Sequence, residues 1–137
     1  MNYTQESQQT VCIIDDDKIQ HFTIEKSMQQ QGILKKMLSF LDGEEAMTFF
    51  SNNLTNSALL PDIIFLDLNM PVVNGWQFLQ QYEVIKEQIP KKIKIYVVSS
   101  SINNSEINQA TSNINVEGFL SKPLKPEALK EILMSVQ

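Results

Sequence analysis

Five apolar runs of strand length alternate with five helix-like segments along this chain, and that alternation leaves few folds open. Residues 10–15 form the first run, rich in β-branched side chains. Residues 18–31 read as a helix ended by Gly32, with Ile19, Phe22 and Met28 as its apolar marks. Residues 34–41 read as an edge-side strand. A turn at Asp42-Gly43 then starts a helix with Ala46, Phe49 and Phe50 inward. The polar stretch SNNLTNSALLPD is a long loop, and residues 63–68 (IIFLDL) are the most strand-like of all. After a loop marked by Pro71 and Asn74-Gly75, WQFLQQYEVIKEQI carries Phe78, Leu79, Tyr82 and Ile85 at helical spacing until Pro90. KIKIYVVSSS is a fourth strand, residues 104–112 a polar helix and VEGFLSKP a fifth strand. PEALKEILMSV closes as a helix, with Leu129, Ile132, Leu133 and Val136 on one face. Continuous apolar runs fit a parallel sheet covered on both faces, so the expected class is α/β with a doubly wound five-stranded parallel sheet.

The 137 residues suit one domain, residues 10–137, preceded by a polar segment over residues 1–9. With 11 basic and 16 acidic side chains the net charge is −5, which argues against a nucleic-acid partner, because phosphate contacts need a clustered basic surface. The one cysteine, Cys12, excludes an internal disulfide or a multi-cysteine zinc site and reads as a buried hydrophobe. The N-terminus has no apolar stretch and no run reaches 18 apolar residues, so neither a signal peptide nor a membrane span is expected. The cytoplasm is the expected location.

In such sheets, ligands bind beyond the carboxyl ends of the strands. Asp15 and Asp16 follow the first strand, Asp67 ends the third, Ser99 follows the fourth and Lys122 the fifth. Like charges about 4 Å apart repel by roughly 4 kcal/mol at an effective dielectric near 20, so gathered carboxylates call for a cation. Carboxylates and a hydroxyl are hard oxygen ligands suited to Mg²⁺, and no histidine or thiolate cluster suggests zinc. Carboxylate, magnesium, hydroxyl and ammonium together make a place for a transferring phosphoryl group, with Asp67 as candidate nucleophile. Asp17 precedes a helix with Gln20 three positions on, which predicts a reciprocal cap. His21 is expected on the surface, Trp76 packed or half-packed at a helix start, Glu44 and Glu45 at a helix N-terminus, and the basic PKKIK stretch in solvent.

The motifs IIDDD, IIFLDLNMPVVNGW, VVSSS and FLSKP, in this order, resemble the receiver domain of the response-regulator family over residues 10–136. The resemblance implies a flavodoxin-like (βα)5 fold with strand order 2-1-3-4-5. It implies that Asp67 accepts a phosphoryl group from a histidine kinase or histidine phosphotransfer protein. Asp15 and Asp16, with Asp67 and the backbone carbonyl of Asn69, would hold Mg²⁺ (or Mn²⁺). Ser99 resembles the switch hydroxyl, Lys122 the lysine that pairs with the phosphoryl group before an often cis bond to Pro123, and Phe119 the switch aromatic. Three serines leave the switch hydroxyl open by one residue; Ser99, directly after YVV, is favoured. Phe119 lacks a tyrosine's hydroxyl, so a switch there rests on packing. A stand-alone phosphoacceptor of two-component signalling is therefore expected, rather than an enzyme, acting on a downstream protein or relaying its phosphoryl group. The alternatives are a phosphorylation-independent pseudo-receiver adaptor, an aspartyl-phosphate hydrolase, for which Asn69 replaces a needed acid, and a flavodoxin-like electron carrier, whose flavin phosphate the aspartates would repel.

Overall fold

A computed structural model of the protein describes residues 9–33, 35–101 and 103–135. Leu34, Val136 and most of the polar N-terminal segment lie outside the described residues. The apolar runs become β1 (Thr10–Ile14), β2 (Lys36–Phe40), β3 (Ile63–Asp67), β4 (Lys94–Ser99) and β5 (Val116–Ser121). Between and after them lie α1 (Lys18–Gln30), α2 (Gly43–Asn52), α3 (Gly75–Ile85), α4 (Asn104–Thr111) and α5 (Pro126–Ser135). The strands form one parallel sheet in the order β2-β1-β3-β4-β5, as the resemblance implied. Among the described residues no helix is long and apolar enough to cross a membrane.

Strand alternation sorts the core into two layers. Val11, Ile13, Ile63 and Phe65 face the layer that holds Ile24 of α1 and Leu129 of α5. Cys12, Ile14, Ile64 and Leu66 face the opposite layer, with Phe50 of α2 and Phe78 of α3. There Phe50 meets Phe78 edge-on at 5.9 Å between ring centroids. β1 and β3 are buried at every position because they are central strands covered on both sides, which is why their runs are unbroken. Cys12 is fully buried, and burial pushes its thiol far above the usual range. A smaller cluster of Leu68, Val97 and Ala110 involves α4, and Trp76 and Phe119 pack against it. Trp76 is thus half-packed, as expected.

Several local expectations change. The inward residues of α1 are His21, Ile24 and Met28, whereas Ile19 and Phe22 are 72% and 62% exposed. The face is set by the spacing from Ile24 and Met28, and His21 enters it because its imidazole finds a backbone carbonyl there, so the expected surface histidine is buried. α2 runs on through Asn52, and Leu60, in the stretch read as polar loop, is fully buried. α3 ends at Ile85, and a 3-10 turn over Lys86–Gln88 leads to Pro90. Lys91, in the patch expected to be solvated, pairs with Asp62 at 3.0 Å and donates to the Leu60 carbonyl at 2.9 Å.

Asp62 is a knot at the amino ends of the strands. Its carboxylate accepts from the Thr10 N–H (2.9 Å) and from Lys91, its own N–H donates to the Thr10 carbonyl (2.8 Å), and its carbonyl accepts from Lys94 (3.0 Å).

The helix starts differ in how they are capped. Asp42 accepts from the Glu45 N–H at 2.7 Å, with Glu44 and Glu45 in the favourable first turn. Asp42→Ala should therefore lower unfolding free energy by about 1 kcal/mol in urea titrations. Asp17 caps α1 through the Ile19 N–H, not reciprocally with Gln20. The N–H that Gln20 would reach is already donated to Asp15 Oδ1 at 2.9 Å. The reciprocal box occurs instead at α3, between Asn74 and Gln77, both bonds 2.9 Å.

Candidate functional site

The carboxyl ends of β1, β3 and β5 bring four of the expected side chains together. Asp15, directly after β1, is buried, and Asp16 beside it is exposed. Asp67 is the last residue of β3 and only 5% exposed. One carboxylate oxygen from each of the three lies within 4.8 Å of the others. Lys122, just past β5, reaches across: its Nζ is 2.9 Å from Asp15 Oδ2 and 3.7 Å from Asp67 Oδ1. The Lys122–Pro123 bond is cis.

The remaining expected residues sit around this group. Asn69 contributes its N–H to Asp67 Oδ1 at 3.3 Å, while its side chain is exposed. Ser99 ends β4 one residue past Val98, the Cα partner of Asp67. It is fully buried and its Oγ accepts from the Ser101 N–H at 3.1 Å, whereas Ser100 is exposed. Phe119 stands apart from the acids, half-buried on β5 opposite Val97 and packed on the cluster that contains Leu68.

Burial sets the electrostatics. It pushes the Asp67 carboxyl up from 3.8 to about 6, helped by the charge of Asp15 and opposed by Lys122 and the Asn69 N–H, with Asp16 adding a further upward push. For Lys122, burial alone would lower its pKa. The bond to Asp15 and the charges of Asp15, Asp67 and Asp17 outweigh it, and the ammonium is held more firmly than usual. The lysine thus balances part of the charge that three close carboxylates accumulate. The same donor set fits a hard divalent cation: three carboxylates at one edge, two of them buried.

Two residues at the site escaped the sequence reading. Gly75 opens α3 directly on the end of β3: a Cβ there would meet the Asp67 carbonyl oxygen at 2.5 Å and the Leu68 Cα at 2.8 Å. Its N–H also donates to the Leu68 carbonyl at 3.0 Å. The Asn74-Gly75 pair carried that signal but reads as ordinary loop punctuation. His21 is the other; its spacing from Ile24 and Met28 was the available clue.

Comparison with known proteins agrees with this geometry. A family model described as the response regulator receiver domain matches residues 11–134. The probable methanogenesis regulatory protein FilR2 of Methanothrix harundinacea is 24% identical over 93% of this chain and 80% of its own length. The autoinducer 1 sensor kinase/phosphatase LuxN of Vibrio campbellii is 29% identical over 90% of this chain, which spans only 13% of that protein. Among solved structures, a two component response regulator from Cytophaga hutchinsonii superposes with a TM-score of 0.80 at 26% identity, covering 93% of this chain and 98% of the other. The family match extends over nearly the whole chain and takes in all the strand-end acids; the chain belongs to the response regulator receiver domain family.

Proposed function

We propose that the protein, in the cytoplasm, accepts a phosphoryl group on Asp67 from a phosphohistidine of a histidine kinase or histidine phosphotransfer protein. The reaction requires Mg²⁺ or Mn²⁺, held by Asp15, Asp16, Asp67 and the backbone carbonyl of Asn69. Receiver domains are the phosphoacceptor modules of two-component signalling, and this chain keeps the groups the chemistry needs. One observation carries the reading: the buried Asp67 carboxylate lies within 4.8 Å of the acids that follow β1 and 3.7 Å from the Lys122 ammonium, which also pairs with Asp15 at 2.9 Å.

An Asp67 oxygen attacks phosphorus, the phosphorus–nitrogen bond to the donor imidazole breaks, and the imidazole leaves with its electron pair. A bound divalent cation supplies positive charge near the phosphoryl oxygens. Lys122 meets the added negative charge from the protein side, exchanging part of its bond to Asp15 for one to the phosphoryl group. Ser99 offers a hydroxyl from the neighbouring strand end. Its movement, and the contact of Phe119 with the Leu68 cluster, link the modified aspartate to β5. The face made by α4, β5 and α5 then changes its affinity for a downstream protein, by a shift between two existing conformations.

Incubation with acetyl phosphate, with and without Mg²⁺, tests this by intact mass. We expect one phosphoryl addition, lost on chelation and absent in Asp67→Asn. Labelling that persists in Asp67→Asn, or that ignores the metal, would refute the assignment.

A further inference from the structure

His21 is the only histidine of the chain, and the phosphoryl chemistry above makes no use of it. It lies on the first turn of α1, 8% exposed, with Nε2 2.7 Å from the Asp15 carbonyl oxygen. A carbonyl can only accept, so Nε2 carries the proton and donates. Nδ1 is buried without a hydrogen-bond partner among the described residues. An ordinary core position would take a leucine at no such expense, since a buried polar atom left unpaired is destabilising. The bond made by the other nitrogen is therefore the feature to explain.

That bond acts on the peptide unit between Asp15 and Asp16, whose carbonyl it fixes. The Asp15 side chain is held separately, by the Asp17 N–H at Oδ1 and by Lys122 at Oδ2, both at 2.9 Å. Asp16 is exposed, and among the described residues no hydrogen bond or ion pair orients its carboxylate. The peptide plane that precedes it places its Cα, and with it the root of its side chain. We infer that His21 is a positioning residue: by donating to the Asp15 carbonyl it sets the Asp15–Asp16 peptide, and so the spacing of two of the three carboxylates that converge with Asp67. The inference rests on the reading of these acids as a metal site. Groups that orient metal ligands from behind are worth about 10- to 100-fold in affinity, and one acting through the backbone belongs at the low end.

The test compares the wild type with His21→Leu, which keeps the bulk and loses the donor, and His21→Gln, which keeps an N–H donor at similar reach. Mg²⁺ titrations are read from Trp76, the single tryptophan, which packs on the Leu68 cluster next to Asp67. Urea midpoints are recorded alongside. We expect His21→Leu to bind Mg²⁺ about tenfold more weakly and His21→Gln to recover to within about threefold of the wild type, while the two variants lose similar stability. Equal affinity in His21→Leu and His21→Gln overturns the inference and leaves the metal site standing. A wild type that binds no Mg²⁺ overturns the site and the inference together. A second measurement needs no variant: the imidazole ¹⁵N spectrum of the wild type should show the Nε2–H tautomer and shift on Mg²⁺ saturation. The opposite tautomer, or a resonance indifferent to the metal, rejects the proposal even if His21→Leu fails to fold.

Discussion

Asp67→Asn is expected to make the protein harder to unfold while leaving it unable to take up phosphate. The reason is the cost of keeping a buried carboxylate ionised beside Asp15. The Asp67 carboxyl rises from 3.8 to about 6 in the folded protein, so the native state holds this proton more tightly than the unfolded chain does. The resulting stabilisation is complete below the unfolded value and is lost as pH rises through about 6. At neutral pH the ionised group is a burden of about 3 kcal/mol at most, from roughly two pK units at 1.36 kcal/mol each. Asparagine is neutral throughout. Urea unfolding without divalent ions should therefore show Asp67→Asn ahead by about 1–3 kcal/mol near pH 7.5, with the gain fading toward pH 4. Added Mg²⁺ should narrow the gap by stabilising the wild type. A gain of the same size at both pH values would mean that charge is not its source.

Gly75→Ala should be comparably damaging in the other direction. The atoms a methyl group would strike at 2.5 and 2.8 Å are backbone atoms of Asp67 and Leu68, which cannot rotate aside. α3 must retreat or the end of β3 must shift, at a cost of about 1–3 kcal/mol for forced overpacking. Because the struck residue is the proposed phosphoacceptor, initial phosphorylation rates should also fall among molecules that remain folded, by tenfold or more if the carboxylate moves by about 1 Å. Gly32→Ala is the control. Gly32 has φ +70° but open space around it, so alanine there should cost about 1 kcal/mol of backbone strain and leave the rate unchanged. If both variants phosphorylate at the wild-type rate, the close approach of Gly75 does not hold Asp67 in place.

The fold was legible because its central strands need no alternation: runs such as IIFLD are buried on both sides, and few other architectures demand that. The acids were legible because a parallel sheet sends every strand's carboxyl end to one edge, so Asp15, Asp16, Asp67 and Lys122 converge without knowledge of any distance. The strand order came with the resemblance, since nothing in β1 or β2 alone says which neighbour it takes. What stayed hidden depends on backbone geometry. Asp17-x-x-Gln20 and Asn74-x-x-Gln77 share one grammar, yet only the second closes a reciprocal cap, because Asp15 has already claimed the Asp17 N–H. His21 looked like surface and Phe22 like core because side-chain identity suggested the reverse of their positions; a carbonyl one turn away decided the matter. Gly75 was invisible for the same reason, since its function is the side chain it lacks.

Asp62 gives the sheet a fixed end. It ties β1 to β3 through Thr10, β3 to β4 through Lys94, and the approach to β4 through Lys91, all at the edge opposite the acids. With those tips pinned like the rivet of a fan, a small displacement where charge is added is expected to open widest at the loops and to die away toward Asp62.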